Sequence, residues 1–124
     1  MSMKEIFSKA WCEQLIVAWN NNPDLHKTFA DAGYVIFEVK ERNESRCCVL
    51  FWDKNGIMSL SEEHHKINAP HFSANIKEWY EFIKGAYSAV AGVMTGKIKY
   101  TGRMSFAFKF GAHFDHLAEV ARSL

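Results

Sequence analysis

The sequence lacks any long apolar run and any recognisable export signal. No stretch approaches the roughly 18 consecutive apolar residues that a membrane-spanning helix requires. The first residues, MSMKEIFSKAWCEQLIVAW, hold no continuous apolar region followed by a small-residue cleavage site, so we expect no secretory signal there. We therefore expect a cytoplasmic protein that is not integral to a membrane.

The sequence also has few cysteines, few prolines and almost no net charge. The three cysteines, Cys12, Cys47 and Cys48, are odd in number and form no CxxC pair, which favours reduced thiols over disulfides or a redox motif. Only two prolines occur and no linker-like tract divides the chain, so we predict one domain over residues 1–124. The net charge of +1 gives no electrostatic reason to expect nucleic acid as a partner.

Aromatic residues, in contrast, are plentiful. The 124 residues include 10 Phe, 4 Trp and 4 Tyr, and 48% of the chain is hydrophobic. Large aromatic side chains fill a compact core, and they equally suit the walls of an apolar pocket. Composition alone leaves both interpretations open.

Two helices are predicted at the start of the chain. Ser2 and Glu5 stand three apart, as in a capping box, ahead of apolar residues at helical spacing. Pro23 opens a short second helix, because its fixed φ suits the first helical position. That helix carries Phe29 and stops before Gly33.

Three strands and a loop are predicted next. They occupy residues 34–40, 46–53 and 57–60, with a loop at 61–68. The second strand is apolar on both faces, with Cys47 and Phe51 on one side and Cys48 and Trp52 on the other. We therefore expect this strand to be central and covered on both sides.

The second half of the chain predicts alternating short elements. Asn75 caps a helix with Glu78 three residues on, and Gly85 closes it. The remaining elements are a strand at 71–74, a helix of small residues at 87–95, a strand at 97–101 and an amphipathic helix at the C-terminus.

One segment, Met104 to Phe110, fits two structures. Its large apolar residues lie at strict period two, which predicts a strand. The same residues also form i,i+4 pairs, Met104 with Phe108 and Phe106 with Phe110, as a buried helix would place them. Periodicity favours the strand without excluding the helix.

A resemblance to a known family rests on the C-terminal half. The capped helix NIKEWYEFIKG at 75–85 is followed by MTGKIKYTG at 94–102 and then by MSFAFKF at 104–110. This succession resembles the sterol carrier protein type 2 family of small lipid-binding domains, best over residues 71–124. The strand region at 34–60 agrees in pattern.

The resemblance implies an α/β (α+β) fold, a five-stranded mixed sheet with helices packed over one face around an apolar cavity. It implies that Met104 to Phe110 is helical and that a ligand tunnel lies between sheet and helices. The implied function is non-enzymatic binding or transfer of a lipid, such as a fatty acid, an acyl-CoA or a sterol-like molecule. The alternative is a ligand-free interaction or homodimerisation module of the same fold, with a filled core.

The predicted ligand-binding wall combines the helices after residue 75 with the second strand. Large apolar side chains can hold an elongated apolar ligand with few polar contacts. The residues predicted to line the cavity are Leu50, Trp52, Trp79, Phe82, Ile83, Val90, Met94, Met104 and Phe108.

No residue pattern indicates catalysis, a metal or a cofactor. His113 and His116 are three apart, but no third ligand is evident, whereas a zinc site needs three or four. Cys47 and Cys48 have apolar strand neighbours, where a thiol tends to be inert. We expect no enzyme activity, although a metal bound by the histidines would revive that possibility.

Two lysines remain to be interpreted. Lys97 and Lys99 alternate outward from their predicted strand. They form either a solvated face or a weak contact to a lipid headgroup or an acyl-CoA phosphate.

Overall fold

The computed structural model describes residues 5–26, 29–61 and 69–124. Within these ranges the elements, in chain order, are α1 (Lys9–Asn20), α2 (Pro23–His26), β1 (Gly33–Lys40), β2 (Ser45–Trp52), β3 (Met58–Ser61), β4 (His71–Ala74), α3 (Ile76–Lys84), α4 (Ala89–Met94), β5 (Lys99–Thr101) and α5 (Met104–Arg122).

The strands form one mixed sheet in the order β3-β2-β1-β4-β5. β1 is antiparallel to β2 over its whole length, from Gly33 opposite Trp52 to Lys40 opposite Ser45. β1 is parallel to β4, and the edge strands β3 and β5 are antiparallel to their neighbours. The prediction of a five-stranded mixed sheet is confirmed.

The helices cover one face of this sheet. Because successive strand residues point to opposite faces, β1 directs Val35, Phe37 and Val39 into the core, where each is at most 2% exposed. Trp79 of α3 and Phe114 of α5 meet them from the helical layer, and the Phe37 and Phe114 ring centroids lie 5.1 Å apart. The apolar core therefore lies between the sheet and the helices.

β2 is an interior strand, paired on both sides, but the expectation that it is covered on both faces is wrong. β1 holds the centre, and β2 lies between it and the edge strand β3. On the face away from the helices Val49 is buried, Phe51 is half-buried and Cys47 is exposed. An apolar residue on that face is buried only where another part of the chain packs over it. The residue pattern of the strand itself cannot predict which residues are buried in this way.

The N-terminal helix begins later than the capping-box pattern predicted. Ser8 is its N-cap, and Ser8 Oγ accepts a hydrogen bond from the Trp11 backbone N–H at 3.2 Å. Ser2 lies outside the described residues, as does most of the predicted loop at 61–68. The second helix ends at His26, so Phe29 lies beyond it and not within it as predicted.

The helix α3 forms as its caps predicted. Asn75 Oδ1 accepts a hydrogen bond from the Glu78 backbone N–H at 2.8 Å, which satisfies one of the unpaired donors of the first turn. Gly85 ends the helix in the left-handed region, with φ 98°. The elements α4 and β5 each begin two residues later than the sequence predicted.

The helical alternative for Met104 to Phe110 is confirmed, and the strand favoured by periodicity is wrong. α5 runs without interruption from Met104 to Arg122, so the ambiguous segment and the C-terminal helix are one element. A helical segment that contacts apolar groups on two sides needs apolar residues on two faces, which mimics the alternation of a strand.

Asn20 joins the end of α1 to the edge strand β3. Its amide nitrogen donates to the Met58 carbonyl and its amide oxygen accepts from the Met58 N–H, both at 2.9 Å. We expect Asn20→Ala to lower the free energy of unfolding by about 1–3 kcal/mol, because it leaves two partly buried backbone groups without partners. Chemical denaturation measures this, with the exposed neighbour Asn21→Ala as control. Equal losses in the two variants would contradict the role of Asn20.

Candidate functional site

The first turns of α5 are apolar on two faces. Phe106 and Phe110 share the inner face, with stacked rings 5.0 Å apart, and Phe110 is only 3% exposed. Met104 and Phe108 share another face, where they are 48% and 52% exposed. At about 100° per residue, i,i+4 pairs share a face, so one pair packs on the core while the other faces solvent.

The outer pair adjoins α4 in a narrow groove. Its volume is about 10 Å³, roughly the space of one water molecule. The groove is lined by Val90, Val93, Met94, Met104, Ala107 and Phe108. Met94 is 65% exposed, so three large apolar side chains from two helices reach the solvent together.

Close packing of α4 on α5 keeps this groove narrow. A Cβ at Gly111 would lie 2.5 Å from Val90 Cγ2, a distance that real side chains do not tolerate. Asp115 Oδ1 also accepts a hydrogen bond from the Ala89 N–H at 2.8 Å, so α5 caps the start of α4. These two contacts hold α4 against α5.

A second cleft, of about 210 Å³, opens on the inner face of α5. Phe29, Phe106 and Phe110 line it together with Lys109 and His113. The Phe29 ring lies 5.1 Å from the Phe110 ring and 4.9 Å from that of Trp52, so the cleft borders the aromatic core. Sequence reasoning missed Phe29, Phe106, Phe110 and His113 as site residues, because Phe29 reaches α5 through the fold and not through sequence spacing.

His113 is the titratable group of this cleft with a perturbed pKa. Partial burial lowers the pKa of His113 below its usual range, and His116 and Lys109 lower it further by charge repulsion. The folded protein thus binds a proton at His113 less readily than the unfolded chain. Protonation of His113 therefore opposes folding as the pH falls through the ordinary range of a histidine, and the His113 imidazole is neutral at pH 7.

The other predicted wall residues lie in the core. Each is at most 2% exposed, and the set is Leu50, Trp52, Trp79, Phe82 and Ile83. Trp79 is fixed further because its indole N–H donates to the Glu38 carbonyl at 2.8 Å. The structure therefore divides the nine predicted residues into these five and the four at the α4–α5 groove, namely Val90, Met94, Met104 and Phe108.

The cysteines meet at a different place, which sequence spacing did not indicate. Cys12 of α1 and Cys48 of β2 are buried with their Sγ atoms 2.7 Å apart, whereas Cys47 is exposed. The contact with Cys12 and burial raise the pKa of the Cys48 thiol, so it remains protonated at neutral pH. Partial burial and the nearby Glu38 also raise the pKa of Cys47.

Thiol accessibility provides a test of this arrangement. We expect an aromatic disulfide reagent at pH 8 to modify one thiol in the native protein and three in denaturant, because Cys12 and Cys48 are shielded. The variant Cys47→Ser should then show no rapid reaction in the native state. Rapid reaction of two or three thiols in the native protein would contradict the buried pair.

Two further observations concern metals and membranes. Among the described residues no group of three or more His, Cys, Asp or Glu side chains is arranged to hold a metal ion, and His113 and His116 gain no third ligand. In the same part of the chain no helix is both long and apolar enough to cross a bilayer.

A five-stranded mixed sheet with helices over one face is an α+β architecture, and it is the architecture of the sterol carrier protein 2 fold. The crystal structure of sterol carrier protein 2 superposes with a TM-score of 0.80 and 17% sequence identity, covering 97% of this chain and 99% of that chain. Sterol carrier protein 2 from Yarrowia lipolytica, in its apo form, gives a TM-score of 0.61 at 18% identity, covering 96% and 94%. The ubiquinone synthesis protein UbiJ-SCP2 gives 0.64 at 15% identity, covering 100% and 98%.

These similarities confirm the resemblance predicted from residues 71–124 at the level of the fold. No model of a protein family matches the sequence, and no curated protein matches it at a significant level. Because one fold serves many functions, the fold identifies an architecture and the site must carry the functional argument.

Proposed function

We propose that this protein binds and transfers an elongated apolar molecule, such as a fatty acid, beneath the first turns of α5. The observation that carries the proposal is the pair of apolar faces between Met104 and Phe110. One face borders a cleft of about 210 Å³ and the other exposes Met104 and Phe108 to solvent. An ordinary surface helix would be polar on its outer side.

Binding is proposed to require separation of α4 from α5. A cleft of about 210 Å³ is smaller than the roughly 300–1,000 Å³ typical of small-molecule sites. The six-residue helix α4 is the element that can yield, because it contributes only Ala89 and Gly92 to the buried set. Its displacement would let a chain pass from the Met94 groove toward the interior, with the predicted wall residues Trp79, Phe82 and Ile83 beneath.

The energetics favour an unbranched chain over a polar ligand. Each methylene removed from water contributes about 0.8 kcal/mol, so a long acyl chain binds well with few polar contacts. We propose no catalytic step, since buried Cys48 is held protonated and the described residues that line the cleft of His113 include no cysteine, serine or threonine nucleophile. A reducing compartment such as the cytoplasm is part of the proposal, because an odd number of cysteines without a CxxC pair favours reduced thiols.

Thermal unfolding with and without palmitate tests this proposal. A ligand at 100 times its Kd stabilises the native state by about 2.7 kcal/mol, which raises Tm by several degrees in a chain of this size. We expect such a rise with palmitate and none with a short-chain acid such as butyrate. No shift with palmitate or with any other long-chain lipid would count against lipid binding.

The exposed trio of Met94, Met104 and Phe108 also supports a second candidate, a ligand-free interaction module that pairs with a second copy. In that case the core would stay filled and the trio would be covered in a dimer. Sedimentation equilibrium separates the two candidates. A monomer that binds palmitate supports the carrier, and a lipid-free dimer that dissociates in Met94→Glu supports the module.

A further inference from the structure

A polar cavity of about 520 Å³ lies at the end of the sheet near the start of α3. Its charged lining consists of four lysines, Lys40, Lys77, Lys97 and Lys99, and one carboxylate, Glu78. The sequence singled out Lys97 and Lys99 as outward-facing, and the fold adds Lys40 and Lys77 from two other elements. We infer that this cavity binds a phosphate-bearing group.

The strand register brings these lysines together. Val39 of β1 pairs with Ala74 of β4, and Ser73 of β4 pairs with Lys99 of β5. Lys40 and Lys99 therefore lie on either side of the end of β4, about two strand spacings or 10 Å apart. Lys97 lies between α4 and β5, and its ammonium sits 5.0 Å from the centre of the Tyr87 ring. That contact favours one position of the side chain.

The charges of the cavity are poorly balanced. None of its four lysines forms an ion pair with the residues that the structure describes, and Glu78 is the one carboxylate in the lining. Four ammonium groups around one concavity repel each other, and a bound oxyanion removes that repulsion.

The first turn of α3 borders the cavity, and two of its backbone N–H groups already have oxygen partners. Asn75, Lys77 and Glu78, which begin this nine-residue helix, all line the cavity. The start of a helix carries a partial positive charge and attracts anions. The Glu41 carboxylate already occupies this end of the helix, because it accepts a hydrogen bond from the Ile76 N–H at 2.6 Å. The four lysines therefore carry the attraction for a phosphate.

The basic cavity lies near the α4–α5 groove, so one ligand with a phosphate and an apolar chain could occupy both. Met94 lines the α4–α5 groove and the next residue, Thr95, lines the basic cavity, so both sites border the end of α4. A phosphorylated amphiphile would place its phosphate among the lysines and its chain along the groove. This extension rests on the proposed function, whereas the phosphate site itself does not.

Calorimetric titrations with three probes test the inference: inorganic pyrophosphate, hexadecyl phosphate and palmitate. They are run on the wild type, on Lys40→Gln/Lys99→Gln and on the charge-matched control Lys54→Gln/Lys84→Gln, whose lysines lie outside the cavity. We expect the cavity variant to bind pyrophosphate or hexadecyl phosphate at least tenfold more weakly, with the control unchanged. Weakening by added NaCl should accompany this, because salt screens exposed charges.

The outcomes separate the possible ligands. Pyrophosphate binding that depends on the cavity lysines supports a site for free phosphates, and dependence for hexadecyl phosphate alone supports a lipid headgroup site. The inference is overturned if the control variant loses as much affinity as the cavity variant. It is also overturned if both variants bind hexadecyl phosphate with the affinity of the wild type. Palmitate binding without any phosphate effect would overturn the phosphate site and leave the proposed function standing.

A measurement on the wild-type protein does not depend on whether the variants fold. Amide NMR signals of Gly96 and Lys97 should shift when pyrophosphate is added to the wild type, because both residues line the cavity. Unchanged signals at saturating pyrophosphate and hexadecyl phosphate would overturn the inference.

Discussion

Replacing Phe114 by alanine is expected to lower the free energy of unfolding by about 3–5 kcal/mol. Phe114 is 1% exposed, and its ring centroid lies 5.1 Å from that of Phe37, 5.0 Å from that of Phe72 and 4.9 Å from that of Phe82. Truncation removes an aromatic ring that joins the sheet to α3 and α5, and the surrounding rings cannot close the space fully.

The matched control lies on the same helix. Phe108 is 52% exposed, so Phe108→Ala should cost well under 1 kcal/mol in lipid-free protein. Equilibrium denaturation in urea measures both variants under identical conditions. Similar losses for Phe108 and Phe114 would mean that α5 does not present its inner face to the core as described.

Replacing Met94 by glutamate should weaken fatty acid binding at least tenfold while the protein stays folded. Met94 is 65% exposed without ligand, so a carboxylate costs little there in the unliganded state. Against a bound acyl chain the same carboxylate would lose water without gaining a partner, which is unfavourable. Displacement of a fluorescent fatty acid measures the affinity.

Two control variants distinguish an effect specific to position 94 from general effects of added charge or altered side-chain volume. Val17→Glu places the same charge on another exposed apolar residue, on α1, and should bind as the wild type does. Met94→Leu keeps an apolar side chain of similar size and should retain binding. Unchanged affinity in a folded Met94→Glu variant would remove Met94 from the proposed wall.

Local signals in the sequence were sufficient for some elements. The cap residues Asn75 and Gly85 lie within the helix they bound, so α3 could be predicted from its own residues. Alternation likewise predicted β1 closely, because this strand is covered on a face that its own pattern defines. Such elements need no information from the rest of the chain.

Other features depend on contacts that no local pattern carries. The run from Met104 to Phe110 satisfies both periodicities, so only its place beneath α4 and above the core decides for the helix. Cys12 and Cys48 meet although 36 residues separate them.

The same limit applied to the candidate sites. Four of the residues that line the α4–α5 groove could be predicted from the sequence, because their apolar character is visible there. Phe29 was missed because it enters its cleft from the turn after α2. Two of the four lysines of the basic cavity, Lys97 and Lys99, are neighbours in sequence and could be identified there. Lys40 of β1 and Lys77 of α3 come close to them only in the folded protein.

Native mass spectrometry of lipid-stripped protein tests the central claim most directly. After incubation with palmitate, we expect the monomer to gain the mass of one fatty acid, and we expect this complex to be lost in Met94→Glu and kept in Val17→Glu. A wild-type protein that gains no mass with palmitate or with any other long-chain lipid would contradict the account of α5 as the cover of a lipid site.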